Sequence, residues 1–235
     1  MYYKVCILAA GSGGRMGDFV KYFNKAFLPV KGKPTICHII EKIPENIEIV
    51  IALGYKKESL KAYLETAYPP RKFTFVEVDK YKGEGTGPGY SLLQCKDHLQ
   101  CPFIYESVDT LFRENLPEPD KNWFGVAKVL NTKRFSSVKV ENGKIVRIDD
   151  KVETNNKYAF IGLAGIYDYE YFWNTLEKNK RLVGGEIQVS NGFIFLIEKD
   201  LYPKIFTWFD TGTPKAYSYT IKNYPNGPSY GGKDE

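Results

Sequence analysis

The sequence predicts an α/β fold, with a mostly parallel sheet, crossover helices and a β-rich second half. Through the first 120 residues, short apolar runs alternate with segments whose apolar residues recur at helical spacing. This alternation is typical of parallel strands joined by crossover helices. From Trp123 onward the pattern changes, with a hairpin signal at Glu141-Asn142-Gly143-Lys144. We expect a single domain over residues 1–225, with halves at 1–120 and 121–225.

Apolar periodicity places the elements of the first half in order, and Gly and Pro residues separate them. Pro44 ends the first predicted helix because proline lacks the amide proton that a helix interior needs. Pro69-Pro70 separates the second helix from the strand that follows it. A second glycine-rich loop, residues 83–89, opens the third helix. The predicted strands are 4–8, 47–53, 73–78 and 103–106, and the predicted helices are 35–43, 57–64 and 90–99.

The second half is predicted to contain strands, one helix and a tail. Asp168 precedes the helix and can cap it, because an aspartate side chain accepts hydrogen bonds from the first free amides. Residues 226–235 are rich in glycine, and we expect a flexible tail there. The predicted strands are 123–130, 138–140, 145–148 and 160–167, and the predicted helix is 169–176.

The most informative segment is the glycine-rich loop at Gly11-Ser12-Gly13-Gly14-Arg15, directly after the first predicted strand. Glycines let backbone N–H groups approach a ligand closely, and N–H groups in a turn bind anions. Arg15 adds a forked cation that suits phosphate. Lys25 follows ten residues later, ahead of Gly32-Lys33-Pro34. These features in this order indicate a phosphate site, whereas one glycine loop alone could be a plain tight turn.

The spacing of the loop excludes two common phosphate motifs. The Walker motif requires Gly-Lys followed by Ser or Thr, but here Gly14 is followed by Arg15-Met16. The dinucleotide fingerprint requires G-x-G-x-x-G, whereas this loop continues to Gly17 with one residue too many. The second predicted strand also ends in Gly54-Tyr55, without the carboxylate that would bind a ribose.

Charge and composition narrow the classes of partner. The 33 basic and 28 acidic residues give a net charge of +5, which suits a small polyanionic substrate. No dense Lys/Arg block is present, so we expect no nucleic-acid partner. No apolar run reaches the length of a membrane span and the first residues do not start a signal peptide, so we expect a cytoplasmic protein without a membrane partner.

Four cysteines are expected to be reduced thiols, and we interpret Cys95, His98 and Cys101 as packing residues in preference to metal ligands.

The loop resembles the signature of the sugar-nucleotidyltransferase family. That signature reads Leu-Ala-Ala-Gly, any residue, Gly, a small residue, Arg, and Met or Leu, followed by a Lys ahead of Leu-Pro-Val and Gly-Lys-Pro. The matching residues are Gly11, Gly13, Arg15, Met16, Lys25, Leu28, Pro29, Val30, Gly32, Lys33 and Pro34. Gly14 departs from the pattern, because the family usually has Ser or Thr there. The resemblance covers about residues 4–220 and implies a Rossmann-like sheet of the nucleotide-diphospho-sugar transferase type, with an acceptor-binding β-rich insertion.

The resemblance also implies a magnesium site formed by two aspartates. Asp109 follows the predicted strand 103–106, where the family has a metal-binding Asp that is usually preceded by Gly. Asp210 lies in Trp208–Pro214, which resembles the family segment Trp-x-Asp-Ile-Gly-Thr-Pro that holds the second metal carboxylate. The alternatives are that Asp109 is a helix cap or turn residue and that Asp210 forms an Asx-turn.

The resemblance assigns contacts to two substrates. The nucleotide contacts are Leu8, Ala10, Gly11, Gly13, Gly14, Gly85 and Thr86. The acceptor contacts are Lys151, Gly165 and Glu186, with Gly162 nearby. For Lys151, which would bind the acceptor phosphate, the alternative is a solvated lysine after a hairpin.

The implied function is nucleotidyl transfer from an NTP to a phosphorylated small molecule, with Arg15 and Lys25 as catalytic residues and Mg²⁺ as cofactor. A sugar 1-phosphate is the commonest acceptor in the family. One alternative is a cytidylyltransferase that acts on phosphocholine or another small phosphate or phosphonate. A second is an inactive regulatory subunit of the same fold, but Arg15, Lys25, Asp109 and Asp210 are all present. The sequence does not predict the nucleobase or the oligomeric state.

Overall fold

The computed structural model describes residues 1–231, and the first half contains seven strands and three α-helices. In chain order these are β1 (Lys4–Ala9), β2 (Pro29–Val30), β3 (Lys33–Pro34), α1 (Thr35–Ile40), β4 (Ile49–Leu53), α2 (Lys57–Ala67), β5 (Phe73–Glu77), α3 (Pro88–Gln94), β6 (Phe103–Ser107) and β7 (Thr110–Phe112). Every strand and helix predicted for this half is present, and most bounds agree within three residues.

The second half adds eight strands and three α-helices within the described residues. These are β8 (Trp123–Lys128), β9 (Ser136–Glu141), β10 (Lys144–Asp150), β11 (Tyr158–Ile166), α4 (Tyr169–Lys178), β12 (Leu182–Val183), β13 (Glu186–Ile187), α5 (Ser190–Phe193), β14 (Tyr202–Ile205), β15 (Trp208–Asp210) and α6 (Pro214–Asn223). The predicted strands and helix are all found, whereas β12, β13, α5, β14, β15 and α6 were not predicted.

One nine-stranded sheet contains strands from both halves, in the order β10-β9-β11-β6-β1-β4-β5, with β8 beside β11 and β14 beside β8. The four strands β6, β1, β4 and β5 are parallel to one another. Strands β8 and β9 are antiparallel to β11, which is itself antiparallel to β6. The predicted α/β class, with a mostly parallel first half and a β-rich second half, is therefore confirmed.

Both faces of the parallel strands β1 and β4 are buried. In β1, Val5 and Ile7 belong to one hydrophobic cluster while Cys6 and Leu8 belong to the other. Successive side chains of a strand point to opposite faces, so a continuous apolar run requires a cover on each face. This explains why β1 and β4 read as uninterrupted apolar runs.

The central strand β1 lies at a switch point of the sheet. Its parallel neighbours are β4 on one side and β6 on the other, so the chain leaves β1 toward one side and later returns on the other. In the β1–β6 ladder, Leu8 is aligned with Ser107. The loops after these two strands therefore start side by side, and ligands of open α/β sheets bind in such crevices.

Strand β11 connects the two halves through an irregular register. Its pairing with β8 shifts between Phe160 and Ala164, and Gly162 within this bulge has a φ of +84°. A β-carbon on Gly162 would lie 2.9 Å from the Ser107 Cβ. Glycine thus lets the bulge approach the end of β6 at this position.

Two sequence predictions in the second half need correction. Asp168 does not cap α4 with its side chain; its Oδ2 accepts instead from Asn122 Nδ2 at 2.6 Å. The expected flexible tail is packed over residues 226–231, because Tyr230 is buried and its N–H donates to Trp208 O at 2.8 Å. Residues 232–235 lie outside the described part of the chain.

Two further observations concern the helices and the thiols. Among residues 1–231, we find no helix with the length and apolar character that a bilayer crossing requires. All four cysteines are free and buried. Burial raises the pKa of the Cys6 thiol well above its ordinary value, with the neighbouring Cys95 as a second cause.

Candidate active site

The glycine loop leaves β1 in a conformation that requires glycine and keeps its backbone open. Gly13 has a φ of +69°, and a β-carbon there would lie 2.7 Å from Val20 Cγ2. At Gly11 and Gly14, by contrast, a β-carbon would meet nothing within 4 Å. One glycine is therefore needed by the fold, while the other two leave space in which a ligand can approach the backbone. Leu8 and Ala10, also predicted to contact nucleotide, are buried at the base of this loop.

Lys25 is held at this loop by a buried asparagine that the sequence analysis did not identify. Asn24 Nδ2 donates to Ala9 O and Tyr55 O, both at 2.8 Å, and its Oδ1 accepts from Ala26 N at 2.9 Å. These bonds tie the segment to the ends of β1 and β4. The sequence held one signal for this role of Asn24: asparagine is a residue type that caps helix N-termini, and it directly precedes a short turn.

Asp109 lies just after β6 and receives hydrogen bonds on both carboxylate oxygens. Ser107 Oγ donates to Oδ1 at 2.6 Å, and Lys25 Nζ donates to Oδ2 at 2.8 Å. Arg15 Nη2 lies 3.5 Å from the same Oδ2. The Arg15 side chain is 66% exposed, whereas that of Lys25 is 15% exposed. The structure thus brings the two predicted catalytic cations to one predicted metal ligand.

Asp210 is fixed beside Asp109 by two short strands. Strand β15 is antiparallel to β7, with Asp210 aligned with Thr110, and Thr211 N donates to Asp109 O at 2.9 Å. Gly212 N donates to Asp210 Oδ1 at 2.8 Å, which is the Asx-type turn that the sequence allowed. Asp210 therefore forms an Asx-type turn and also lies close to Asp109.

Gly212 marks the point at which three charged groups converge. A β-carbon on Gly212 would lie 3.0 Å from Asp109 Oδ2, 3.0 Å from Asp210 Oδ1 and 3.1 Å from Arg15 Nη2. The two carboxylates and the guanidinium thus surround one small space beside this glycine. Any other residue at position 212 would place a side chain between them.

The two aspartates have pKa values shifted in opposite directions. Burial alone would raise the pKa of Asp109, but the charges of Lys25 and Arg15 outweigh it and hold that pKa well below the usual range. Burial, reinforced by the negative charge of Asp109, raises the pKa of Asp210 to about 6. Because the two buried carboxylates repel each other, a further positive charge bound between them would be stabilised.

The donor set at this space fits magnesium bound together with a phosphate ligand. Mg²⁺ typically takes one or two protein carboxylates and completes its shell with water and substrate phosphate oxygens. No group of three or more His, Cys, Asp or Glu side chains suited to a metal occurs within residues 1–231. The carboxylates of Asp109 and Asp210 are therefore the protein ligands that this space offers to a metal ion.

Lys151 has a well-defined backbone at the end of β10. Its φ is +52°, and its N–H donates to Phe135 O at 3.0 Å. The preceding Asp150 is buried and accepts hydrogen bonds from Ser136 Oγ and from Ser190 Oγ, the latter at 3.0 Å. This network fixes where the lysine leaves the sheet.

The second glycine loop and the predicted acceptor residue Glu186 form one unit. Gly85 N donates to Gly185 O at 2.9 Å, and Ile187 N donates to Thr86 O at 2.7 Å. A β-carbon on Gly87 would lie 2.7 Å from Glu186 Cβ. The hairpin β12–β13 also reaches toward Lys151, since a β-carbon on Gly184 would lie 3.9 Å from Lys151 Nζ. A nucleotide loop and two acceptor candidates are thereby connected.

Gly165 lies outside this group. It is aligned with Ile104 at the start of β6, at the opposite end of that strand from Ser107. A β-carbon there would lie 2.1 Å from Trp123 Nε1, so glycine is required to seat the indole. The structure gives Gly165 a packing role in place of the predicted acceptor contact. Gly162, which faces Ser107, is the glycine of β11 that lies beside the site.

The fold and these residues define an α/β protein with a phosphate-type loop and a paired-aspartate site at the switch point of its sheet. Residues 5–112 match the model of the MobA-like NTP transferase domain. The Bifunctional protein GlmU of Methanocaldococcus jannaschii is 31% identical over 216 residues, which are 88% of this chain and 51% of that protein. The same-named protein of Methanococcus vannielii is 30% identical over 234 residues, covering 92% of this chain and 55% of that protein. The chain spans about half the length of these curated relatives.

Solved structures agree with the fold along nearly the whole chain. A UDP-glucose pyrophosphorylase in complex with UDP-glucose superposes with a TM-score of 0.79 at 19% identity, covering 94% of this chain and 98% of that one. The CTP:phosphocholine cytidylyltransferase of Streptococcus pneumoniae superposes with a TM-score of 0.76 at 23% identity, covering 94% and 99%. The fold is therefore that of these structures, and residues 5–112 are similar to the MobA-like NTP transferase domain.

Proposed function

We propose that this protein transfers a nucleotidyl group from an NTP to a phosphorylated small molecule and releases pyrophosphate. The observation that carries the proposal is the convergence of Arg15, Asp109 and Asp210 around Gly212, with Lys25 bonded to Asp109 and the open glycine loop nearby. Two cations and two carboxylates at one point suit a reaction that needs charge neutralisation and positioning more than a covalent nucleophile.

The reaction follows from these groups. An acceptor phosphate oxygen forms a bond to the α-phosphorus of the NTP, while the bond from that phosphorus to the bridging oxygen of the β-phosphate breaks. The acceptor arrives ionised, so the step requires no general base. Lys25 would stabilise charge that develops on the α-phosphate, and Arg15 with the loop amides would hold the leaving pyrophosphate. Asp109 and Asp210 would hold Mg²⁺, which when bound neutralises phosphate charge.

The acceptor side favours a hydroxyl-rich phosphate such as a sugar 1-phosphate. Lys151 can bind the phosphate, and the exposed carboxylate of Glu186 can accept hydrogen bonds from hydroxyl groups. A UTP–glucose-1-phosphate uridylyltransferase of Haloferax volcanii, 28% identical over 115 residues covering 48% of this chain and 46% of that protein, supports this class. Phosphocholine is the second candidate, because the cytidylyltransferase above shares the fold over nearly its full length. We expect the reaction to take place in the cytoplasm.

A substrate panel tests the proposal and identifies base and acceptor together. Purified protein with Mg²⁺ is incubated with each NTP and with glucose 1-phosphate, other sugar 1-phosphates, phosphocholine or a phosphonate, and released pyrophosphate is measured. We expect release in at least one pairing, with a sugar 1-phosphate as the preferred acceptor. Turnover with phosphocholine alone would establish the second candidate. No release from folded protein across the panel would favour an inactive regulatory subunit.

A further inference from the structure

The two oxygens of Asp109 have different surroundings. Oδ1 accepts from the Ser107 hydroxyl at 2.6 Å, which is a short hydrogen bond within the same turn. Oδ2 accepts from Lys25 Nζ at 2.8 Å and lies 3.5 Å from Arg15 Nη2. Both cations of the site are thus concentrated on one of the two oxygens.

The same Oδ2 faces the space shared with the second aspartate. Asp109 Oδ2 and Asp210 Oδ1 both lie 3.0 Å from the position of a β-carbon on Gly212. A cation bound by both carboxylates must therefore use Oδ2, where the Lys25 ammonium now resides. Two positive charges on one buried oxygen repel each other strongly, because solvent screening is weak there.

The surroundings of Lys25 indicate what would draw it away. Its backbone is fixed through Asn24, but the side chain is a flexible four-carbon stem with a single carboxylate partner within the described residues, Asp109. The open backbone at Gly11 and Gly14 is where a phosphate chain would bind. A phosphate chain supplies the alternative anion that the ammonium needs when it leaves Asp109.

We propose that Lys25 and a divalent cation compete for Asp109 Oδ2, so that the cation binds weakly alone and strongly once a nucleotide has drawn Lys25 to its phosphates. Lys25 is then the internal counter-ion of the free site in addition to its role in transfer. By linkage, the nucleotide tightens cation binding by the same factor as the cation tightens nucleotide binding. The inference rests on the two-aspartate site of the proposed function.

The test measures cation binding directly, with Mn²⁺ as the probe and no nucleotide present, at about pH 8 so that both carboxylates are ionised. Free Mn²⁺ is followed by electron paramagnetic resonance. We expect Lys25→Met to bind Mn²⁺ about tenfold or more tighter than wild type, since the competing charge is gone. Lys25→Arg keeps the charge and should show no gain. Lys21→Met is the matched control, because Lys21 lies in the same segment with its ammonium over the Tyr22 ring.

Two further arms make the result decisive. Asp109→Asn in the Lys25→Met background should remove the gain, which shows that the added affinity is at this carboxylate. A non-hydrolysable αβ-methylene NTP analogue should tighten Mn²⁺ binding to wild type by a larger factor than to Lys25→Met, because its phosphate oxygens ligate the cation in both proteins but draw a lysine away only in wild type. A titration of the analogue with Mn²⁺ in the absence of protein corrects for the cation that free nucleotide binds. Thermal unfolding confirms that each variant is folded, and Lys25→Gln replaces Lys25→Met if the latter is not.

Equal or weaker Mn²⁺ binding by folded Lys25→Met would overturn the competition. The substrate panel is independent of this result: pyrophosphate release by wild type with no gain in Lys25→Met rejects the competition and keeps the transferase. Absence of Mn²⁺ binding in every variant would reject the competition together with the two-aspartate metal site.

Discussion

Two buried carboxylates, one inside β6 and one just after it, have opposite electrostatic environments. Asp109 has Lys25 and Arg15 on one oxygen, and its pKa is well below the usual range despite burial. Glu106 lies three residues earlier, its Oε1 has no hydrogen-bond partner within residues 1–231, and burial raises its pKa to about 8. Burial alone keeps a carboxyl group neutral, whereas cations at hydrogen-bond distance keep it charged. The comparison shows that charge placement distinguishes the candidate site from the core beneath it.

The largest effect is expected at Lys25. Lys25→Ala removes charge stabilisation at the α-phosphate and should lower turnover about a hundredfold or more. A solvated loop lysine could be removed with little effect on folding. The structure shows a lysine that is 15% exposed and paired with a buried aspartate, so the variant should also unfold at a lower temperature. Turnover and thermal unfolding, with Lys21→Ala as control, measure both effects. Near-normal turnover would show that the assigned role is wrong.

The next effect concerns the aspartate pair. Asp109→Asn and Asp210→Asn each remove one negative charge from the shared space, so each should raise the Mg²⁺ concentration needed for half-maximal turnover, about tenfold or more. Because the two groups would act as a unit, the double variant should be little worse than the weaker single one. Turnover against Mg²⁺ concentration for the four proteins provides the measurement. Additive losses with an unchanged Mg²⁺ midpoint would contradict a joint metal site.

A smaller effect is expected at Ser107. Its hydroxyl fixes Asp109 Oδ1, so Ser107→Ala should allow the carboxylate to rotate and raise the Mg²⁺ midpoint several-fold, with a smaller change in saturated turnover. Ser59→Ala is the matched control, because it removes a hydroxyl that donates to Lys56 O in the first turn of α2. If the two alanine variants have the same Mg²⁺ midpoint, Ser107 has no positioning role.

The sequence predicted those parts of the site that depend on neighbouring parallel strands. The loop at Gly11–Arg15 and Asp109 follow adjacent strands, whose carboxyl ends must meet at one edge of the sheet. Asp210 was expected only through the family resemblance, because β7 and β15 have three residues each and give no periodic signal. The structure places these residues together, while their functional roles stay predictions.

Other contacts of the site could not be predicted from the sequence because the residues that make them are distant along the chain. Asn24 is a buried side chain bonded to backbone at Ala9 and Tyr55, which only the folded sheet brings together. Gly162 and Gly165 lie three residues apart in β11, and the bulge between Phe160 and Ala164 decides which of them faces Ser107. A register shift of this kind has no local sequence signature. The packed segment around Tyr230 was missed for the same reason, since Trp208 supplies its contact.

The smallest effect on turnover, and a clear effect on stability, is expected at Glu106. Its folded pKa of about 8 lies above its ordinary value of 4.5, so between these pH values the unfolded chain releases a proton that the folded chain retains. The stability that this group contributes is complete below about pH 4.5, falls as the pH rises, and is lost above about pH 8. Lys42 is the charged neighbour that opposes this shift.

Glu106→Gln removes the ionisable group and nearly keeps the shape of the side chain. The stability of this variant should therefore not fall as the pH rises from about 4.5 to about 8. Relative to wild type, the variant should gain stability progressively from about pH 5 to about pH 8, by more than about 1 kcal/mol at the upper end, with turnover changed less than about twofold. Urea unfolding across this pH range provides the measurement. Glu114→Gln is the control, because hydrogen bonds from Thr207 outweigh partial burial and lower the pKa of Glu114. The pH-dependent contribution of Glu114 therefore lies below about pH 4.5, and its variant should differ from wild type by a constant amount from about pH 5 to about pH 8. If the stability of wild type and of Glu106→Gln changes with pH in the same way, Glu106 is ionised in the folded protein. The contrast between Glu106 and Asp109 would then be lost.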